Sequence, residues 1–198
     1  MNITSFLIYC IIVTFTPGPT NIVILSSVQN FGAKKTMKYV YGATIAFGIL
    51  LAVSAILNSA LVTVVPKILS IMRIIGSFYM LYLAYQIYKM DVSGATVNQP
   101  VNFVSGLLMQ FINPKVILFT MTVIPSFVIP YYKSSLTLSI VVAVVTIIGF
   151  SAFVTWVLFG AIFKRFLQKY QRASNTIMAL FLVYSAMMVS GIIEFIRG

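Results

Sequence analysis

Two short runs of residues hold the polar chemistry of this chain. Thr16, Pro17, Gly18, Pro19 and Asn21 form the first, and Gln110, Asn113, Pro114 and Lys115 form the second, each inside an otherwise apolar stretch. A proline lacks the amide hydrogen a helix needs and its ring clashes with the preceding turn, so helical groups around each run must find other partners. Gly18, set between two prolines, points to an unwound or sharply bent segment with backbone angles that other residues resist. Carbonyls and amides freed there can meet the charged ends of a small zwitterion, and a helix restarting past the break offers the positive end of its dipole to a carboxylate. Thr16, Asn21, Gln110 and Asn113 each donate and accept hydrogen bonds, which suits a ligand bearing both ammonium and carboxylate. Lys115 can neutralise that carboxylate, or its stem can carry the charge to an interface. The alternative for all these groups is a packing kink bridged between helices, and neither account needs covalent chemistry.

The residue types that are missing narrow the chemistry further. The chain has no histidine, a single cysteine (Cys10) and two acids, Asp91 and Glu194. Zinc sites and histidine proton relays lose their commonest ligand, an internal disulfide is impossible, and no carboxylate falls at a mid-span position. The expectation is therefore a protein that is not an enzyme and uses no metal and no cofactor, with Cys10 as apolar filler. The thirteen Lys and Arg give a formal charge of +11 but are scattered between apolar spans rather than gathered on one basic face. Anionic lipid and the positive-inside rule account for them, and nucleic acid is not expected as a partner.

The elements that must position these residues are long and apolar. Hydrophobic residues make up 61% of the 198 residues and charged ones 8%, where a soluble domain carries about a quarter charged. The expected class is an all-α polytopic membrane protein with six transmembrane helices, over about 3–28, 39–65, 69–88, 102–129, 136–163 and 176–196. No basic region precedes the first apolar run, which reads as a retained helix rather than a signal peptide. Gly42, Ala46 and Gly48 offer surfaces for close helix approach, Tyr79, Tyr82, Tyr85 and Tyr88 an aromatic face near an interface, and Gly149 a place for the fifth span to tilt or kink. Asn58 reads as a bridge between helices, and Arg73 as a cation reaching the headgroups. Basic loops are expected around Lys34, Lys35 and Lys38, and again around Lys164, Arg165, Lys169 and Arg172.

Residues 91–100 are the most polar segment and divide the single transport domain, 1–198, into two sets of three helices, 1–90 and 101–198. An odd number of helices per set makes the second enter the membrane from the opposite side, giving a 3+3 inverted repeat with broken helices 1 and 4 as the matched pair. Each break lies about 12 to 14 residues into its span, roughly 20 Å from the start and near the bilayer midplane at 1.5 Å per residue. With both termini outside, eight Lys or Arg face the cytoplasm and four the exterior, so that orientation in the cytoplasmic membrane is expected. The breaks point to alternating-access transport, with a structural or regulatory membrane protein as the competing reading. Ala186, Ser190 and Gly191 form a small-residue face compatible with a homodimer.

The sequence resembles the lysine exporter and homoserine/threonine exporter family of bacterial amino acid transporters. The resemblance is carried by FTPGPTN at 15–21, Gly42 and Gly48, GSFYMLYLAYQIYK at 76–89 and FVSGLLMQFINPK at 103–115, and it covers nearly the whole chain. It implies export of an amino acid or a small derivative, commonly attributed to proton-dependent antiport, with Pro17, Gly18, Pro19, Asn113 and Pro114 in the translocation core. Many relatives carry an acidic residue near positions 47–49. This chain has Phe47, Gly48 and Ile49 there.

Overall fold

The computed structural model describes residues 3–57, 74–89 and 101–190. Asn58, Pro66, Arg73, the 91–100 segment with Asp91, Gly191 and Glu194 lie outside the described residues. The described chain is all helical. Helix α1 (Ile3–Phe15) is followed by α2 (Pro19–Phe31), and the pair bends by 48° at the intervening residues. Helix α5 (Phe103–Ile112) and α6 (Pro114–Phe127) form a second bent pair, turned by 68° at Asn113. Between them lie α3 (Ala33–Ile56) and a helical stretch over 74–88, here α4. Helices α7 (Ser135–Ile162), α8 (Lys164–Lys169) and α9 (Gln171–Ser190) complete the order.

Both basic segments expected as loops are helical. Gly32, at φ +82°, turns the chain within one residue while its amide still bonds to the Val28 carbonyl at 3.0 Å. No loop is then needed, and Lys34, Lys35 and Lys38, good helix formers, occupy the first turns of α3. Lys164, Arg165 and Lys169 lie in α8, and Arg172 opens α9. Helix α7 runs through Gly149 as one element, and the glycine serves packing: a Cβ there would stand 2.6 Å from the Phe47 ring.

Helices α3 and α7, with 24 and 28 residues, are about 36 and 42 Å long at 1.5 Å per residue, enough to cross a hydrocarbon layer about 30 Å thick. Each bent pair also qualifies by length and composition if counted as one span, giving up to four among the described residues. Their outward residues are apolar, including Ile8, Ile12, Ile45, Ile49, Ile140, Ile147 and Leu158. That surface cannot face water economically and identifies a polytopic membrane protein.

Two apolar clusters fill the bundle, one toward each end of the long helices. The first joins α2, the first half of α3, α4, Met109 of α5, the second half of α7 and α9. The second joins α1, the second half of α3, α6 and Val145 of α7. The chain passes from the second cluster to the first along α1 and α2, and from the first to the second along α5 and α6. The two broken helices therefore run in opposite senses, and so do α3 and α7. Cys10 is completely buried in the second cluster.

The closest helix approach sets the position of the second break. A Cβ on Gly42 of α3 would lie 1.9 Å from the Phe103 carbonyl oxygen, and one on Gly106 of α5 would lie 2.0 Å from that of Tyr39. Backbone thus meets backbone, reciprocally, because both contact residues lack a side chain. Helix α5 is also fixed at its start, where the Asn102 side chain accepts from the Ser105 amide at 2.8 Å and the Asn102 amide donates to Ser105 Oγ at 3.1 Å.

Candidate functional site

The 16–18 interruption frees carbonyls at the end of α1, and side chains take them up one by one. Asn21 Nδ2 donates to the Thr14 and Thr16 carbonyls at 3.3 and 3.0 Å. Trp156 Nε1 of α7 donates to the Phe15 carbonyl at 3.2 Å. Lys115 Nζ reaches across from α6 and donates to the Thr16 carbonyl at 2.7 Å. The break persists in an apolar setting because its backbone acceptors have donors supplied from elsewhere in the fold.

At the second break Asn113 caps α6 by accepting from the Lys115 amide at 3.1 Å, while its carbonyl accepts from the Val116 and Ile117 amides. Its Nδ2 donates to Thr20 Oγ1 at 2.9 Å, and Thr20 Oγ1 donates to Gln110 Oε1 at 3.0 Å. Gln110 Nε2 closes the chain on the Ala43 carbonyl at 3.4 Å. Thr20, Gln110 and Asn113 are all buried, so this network is shielded from water. Helix α4 packs on the same break through Gly76, where a Cβ would lie 2.9 Å from the Ile112 carbonyl oxygen and from Pro114 Cδ.

The structure thus brings the two runs together. Pro19 and Pro114 are buried at the first positions of α2 and α6, where a missing amide hydrogen costs nothing. Gly18 is extended, at φ −159°, a conformation open to any residue. Its small size matters instead: a Cβ would meet Lys115 Cδ at 3.0 Å and Nζ at 3.2 Å, so the lysine stem lies along the start of α2. No side chain caps that start. Thr16 and Pro17 are exposed, and the Thr16 hydroxyl turns back to the Ile12 carbonyl, so Thr16 joins the site through its backbone.

A cavity sits where the breaks meet, bounded by Thr14, Gly18, Thr20, Asn21, Asn113 and Lys115 on its polar side and by Phe47, Phe119 and Phe153 on its apolar side. The room inside, ≈ 30 Å³, suffices for a water molecule or two and not for an amino acid. The arrangement is closed to cargo of that size. Phe47 stacks on Phe119 at 5.9 Å and meets Phe153 edge-on at 6.4 Å, a packed aromatic wall rather than an open lining.

Residues 11–191 match the family described as LysE type translocator. The chain belongs to the LysE type translocators. It is 34% identical over 188 residues to a cysteine/O-acetylserine efflux protein of Klebsiella pneumoniae, covering 94% of this chain and 96% of that one. A cysteine/O-acetylserine efflux protein of Salmonella typhi is 30% identical over 190 residues, with coverage of 96% and 97%. One from Escherichia coli O6:K15:H31 is 29% identical over 188 residues, with coverage of 94% and 96%. No solved structure gives a significant match.

In this translocator, sequence reasoning missed Thr20. It is the one side chain of α2 bonded to both Gln110 and Asn113, so it joins the two breaks directly. Its place in the first turn past Pro19 was the available signal, since a hydroxyl there can look back toward whatever faces the break. Among the described residues no three His, Cys, Asp or Glu gather into a metal site.

Proposed function

We propose that this chain exports a small neutral amino acid or amino acid derivative across the cytoplasmic membrane by alternating access between its two broken helices. The observation carrying the proposal is the meeting of the breaks: Lys115 bonds to the Thr16 carbonyl and Asn113 to Thr20, so two oppositely directed helices share one polar junction, buried at its Asn113–Thr20 link. The export direction and the cargo class are supported by relatives named as efflux proteins for cysteine and O-acetylserine. The opposed courses of α1–α2 against α5–α6, and of α3 against α7, support a 3+3 inverted repeat over 1–90 and 101–198. Six spans with both termini outside remain our reading, supported by the distribution of Lys and Arg.

Opening the closed arrangement requires Lys115 and Thr20 to part from their partners. The neutral Thr20 bonds contribute about 1 kcal/mol net each and the charge-assisted Lys115 bond about 1.5–3 kcal/mol, so an open population lies within the few kcal/mol that a bound cargo supplies. Thr16, Pro17, Gly18, Pro19, Asn21, Gln110, Asn113, Pro114 and Lys115 are the proposed cargo-binding set, to which Thr20 is added. The test is export of labelled cysteine, kept reduced, from loaded cells or across proteoliposomes. Wild-type protein should move it, and Asn113→Ala, which removes the Asn113–Thr20 link between the two breaks, should not. Equal transport by the two would sink the proposed site.

A further inference from the structure

We propose, resting on the export reading, that the junction is a polarised receptor: Asn21 Oδ1 takes the cargo's ammonium, Lys115 takes its carboxylate, and the Phe47, Phe119 and Phe153 wall takes a neutral side chain. Asn21 is only 3% exposed and lines the cavity. Both hydrogen bonds that fix its amide use Nδ2, and turning the amide over would set Oδ1 against the Thr14 and Thr16 carbonyls. Its Oδ1 is therefore locked as an acceptor, yet it is buried with no hydrogen-bond partner among the described residues. An acceptor so fixed bonds whichever donor reaches it, and an ammonium brings a charged one in place of water.

The opposite requirement is met by Lys115. It is the only ionisable side chain among the residues bounding the cavity, and it lies along the start of α2, whose amides no side chain caps. In the closed arrangement its ammonium is held by a neutral carbonyl, that of Thr16. A carboxylate is a stronger acceptor than a carbonyl, so an arriving carboxylate draws Lys115 off Thr16 and releases one of the ties between the broken helices. Cargo binding and unlatching are then one event.

The charge arrangement sets the cargo class. Among the described residues bounding the cavity there is no carboxylate, and the wall opposite the polar groups is aromatic. A cationic side chain there would stand beside the like charge of Lys115, the one ionisable group bounding the cavity among the described residues. Basic amino acids are accordingly rejected.

The experiment measures inhibition of labelled cysteine transport in proteoliposomes by unlabelled thiols of matched size: cysteine, cysteamine, which lacks the carboxylate, and 3-mercaptopropionate, which lacks the ammonium. Wild type should prefer cysteine to each by about tenfold or more, the worth of one charge-assisted hydrogen bond, and should ignore lysine. Lys115→Met should lose the preference over cysteamine and keep that over 3-mercaptopropionate. Asn21→Leu should do the reverse, and Lys115→Arg should restore the wild-type pattern. Elution of each variant as a single folded species, with residual transport enough to rank the thiols, separates these shifts from misfolding. Where a variant's residual transport falls short, binding of the same thiols is ranked by protection against heating. Equal loss against all thiols in both variants, or inhibition by lysine, overturns the receptor while leaving export standing. No cysteine transport by wild type overturns both.

Discussion

Replacing Gly106 by alanine probes the contact that places the second break. The new Cβ would stand 2.0 Å from the Tyr39 carbonyl oxygen, and ordinary contact begins at 3.4 Å, so α3 and α5 must separate by about 1.4 Å. Both surfaces are backbone and cannot rotate away, which places the cost toward the upper part of the roughly 1–3 kcal/mol typical of overpacking. For a chain of this length that corresponds to a fall in melting temperature of about 5–10 °C. The assay is the fraction of detergent-solubilised protein that still elutes as a single species after heating. Gly42→Ala, which would put a Cβ 1.9 Å from the Phe103 carbonyl oxygen, should behave alike. The double variant discriminates: once the helices have parted, the second methyl finds room, so the combined loss should fall well short of the sum. Transport should drop as well, because Gln110 lies one turn beyond Gly106 and its 3.4 Å bond to the Ala43 carbonyl does not survive such a shift. A melting temperature for Gly106→Ala within about 1 °C of wild type, or strict additivity in the double variant, would refute this account of the contact.

Thr20→Val keeps side-chain volume while removing the hydroxyl that accepts from Asn113 and donates to Gln110. Two buried polar groups lose a partner, so stability should fall by about 1–2 kcal/mol, with Thr20→Ser close to wild type in the same heating assay. Gly18→Ala should leave melting nearly unchanged, since the backbone there is extended, yet slow cysteine export by pushing the Lys115 stem from its course 3.0 Å away. A variant that melts early but transports normally would reverse that assignment.

How much was legible in advance differs from element to element. Proline takes a donor out of the helical ladder, so both breaks could be placed from Pro17, Pro19 and Pro114, and they fall between α1 and α2 and between α5 and α6, whereas Pro125 is carried inside α6. The membrane class followed from composition, because burying that much apolar surface requires lipid. Helix ends were less legible. Lys34 and Lys164 stand in helices because a single positive-φ glycine or a short turn replaced the expected loop, a choice that charge alone does not encode.

Sequence by itself determined that two polar, proline-marked interruptions exist, and that no histidine, cysteine pair or mid-span acid can serve them. Tertiary structure alone decided that they touch, and through which atoms. The Thr16 carbonyl rather than its hydroxyl meets Lys115, Gly18 matters as space rather than as a hinge, and Thr20 joins the halves. Such pairings link residues 90 or more positions apart, and no local propensity specifies them. They arise when the Gly42–Gly106 backbone contact and the two apolar clusters fix how α2 and α5 lie together.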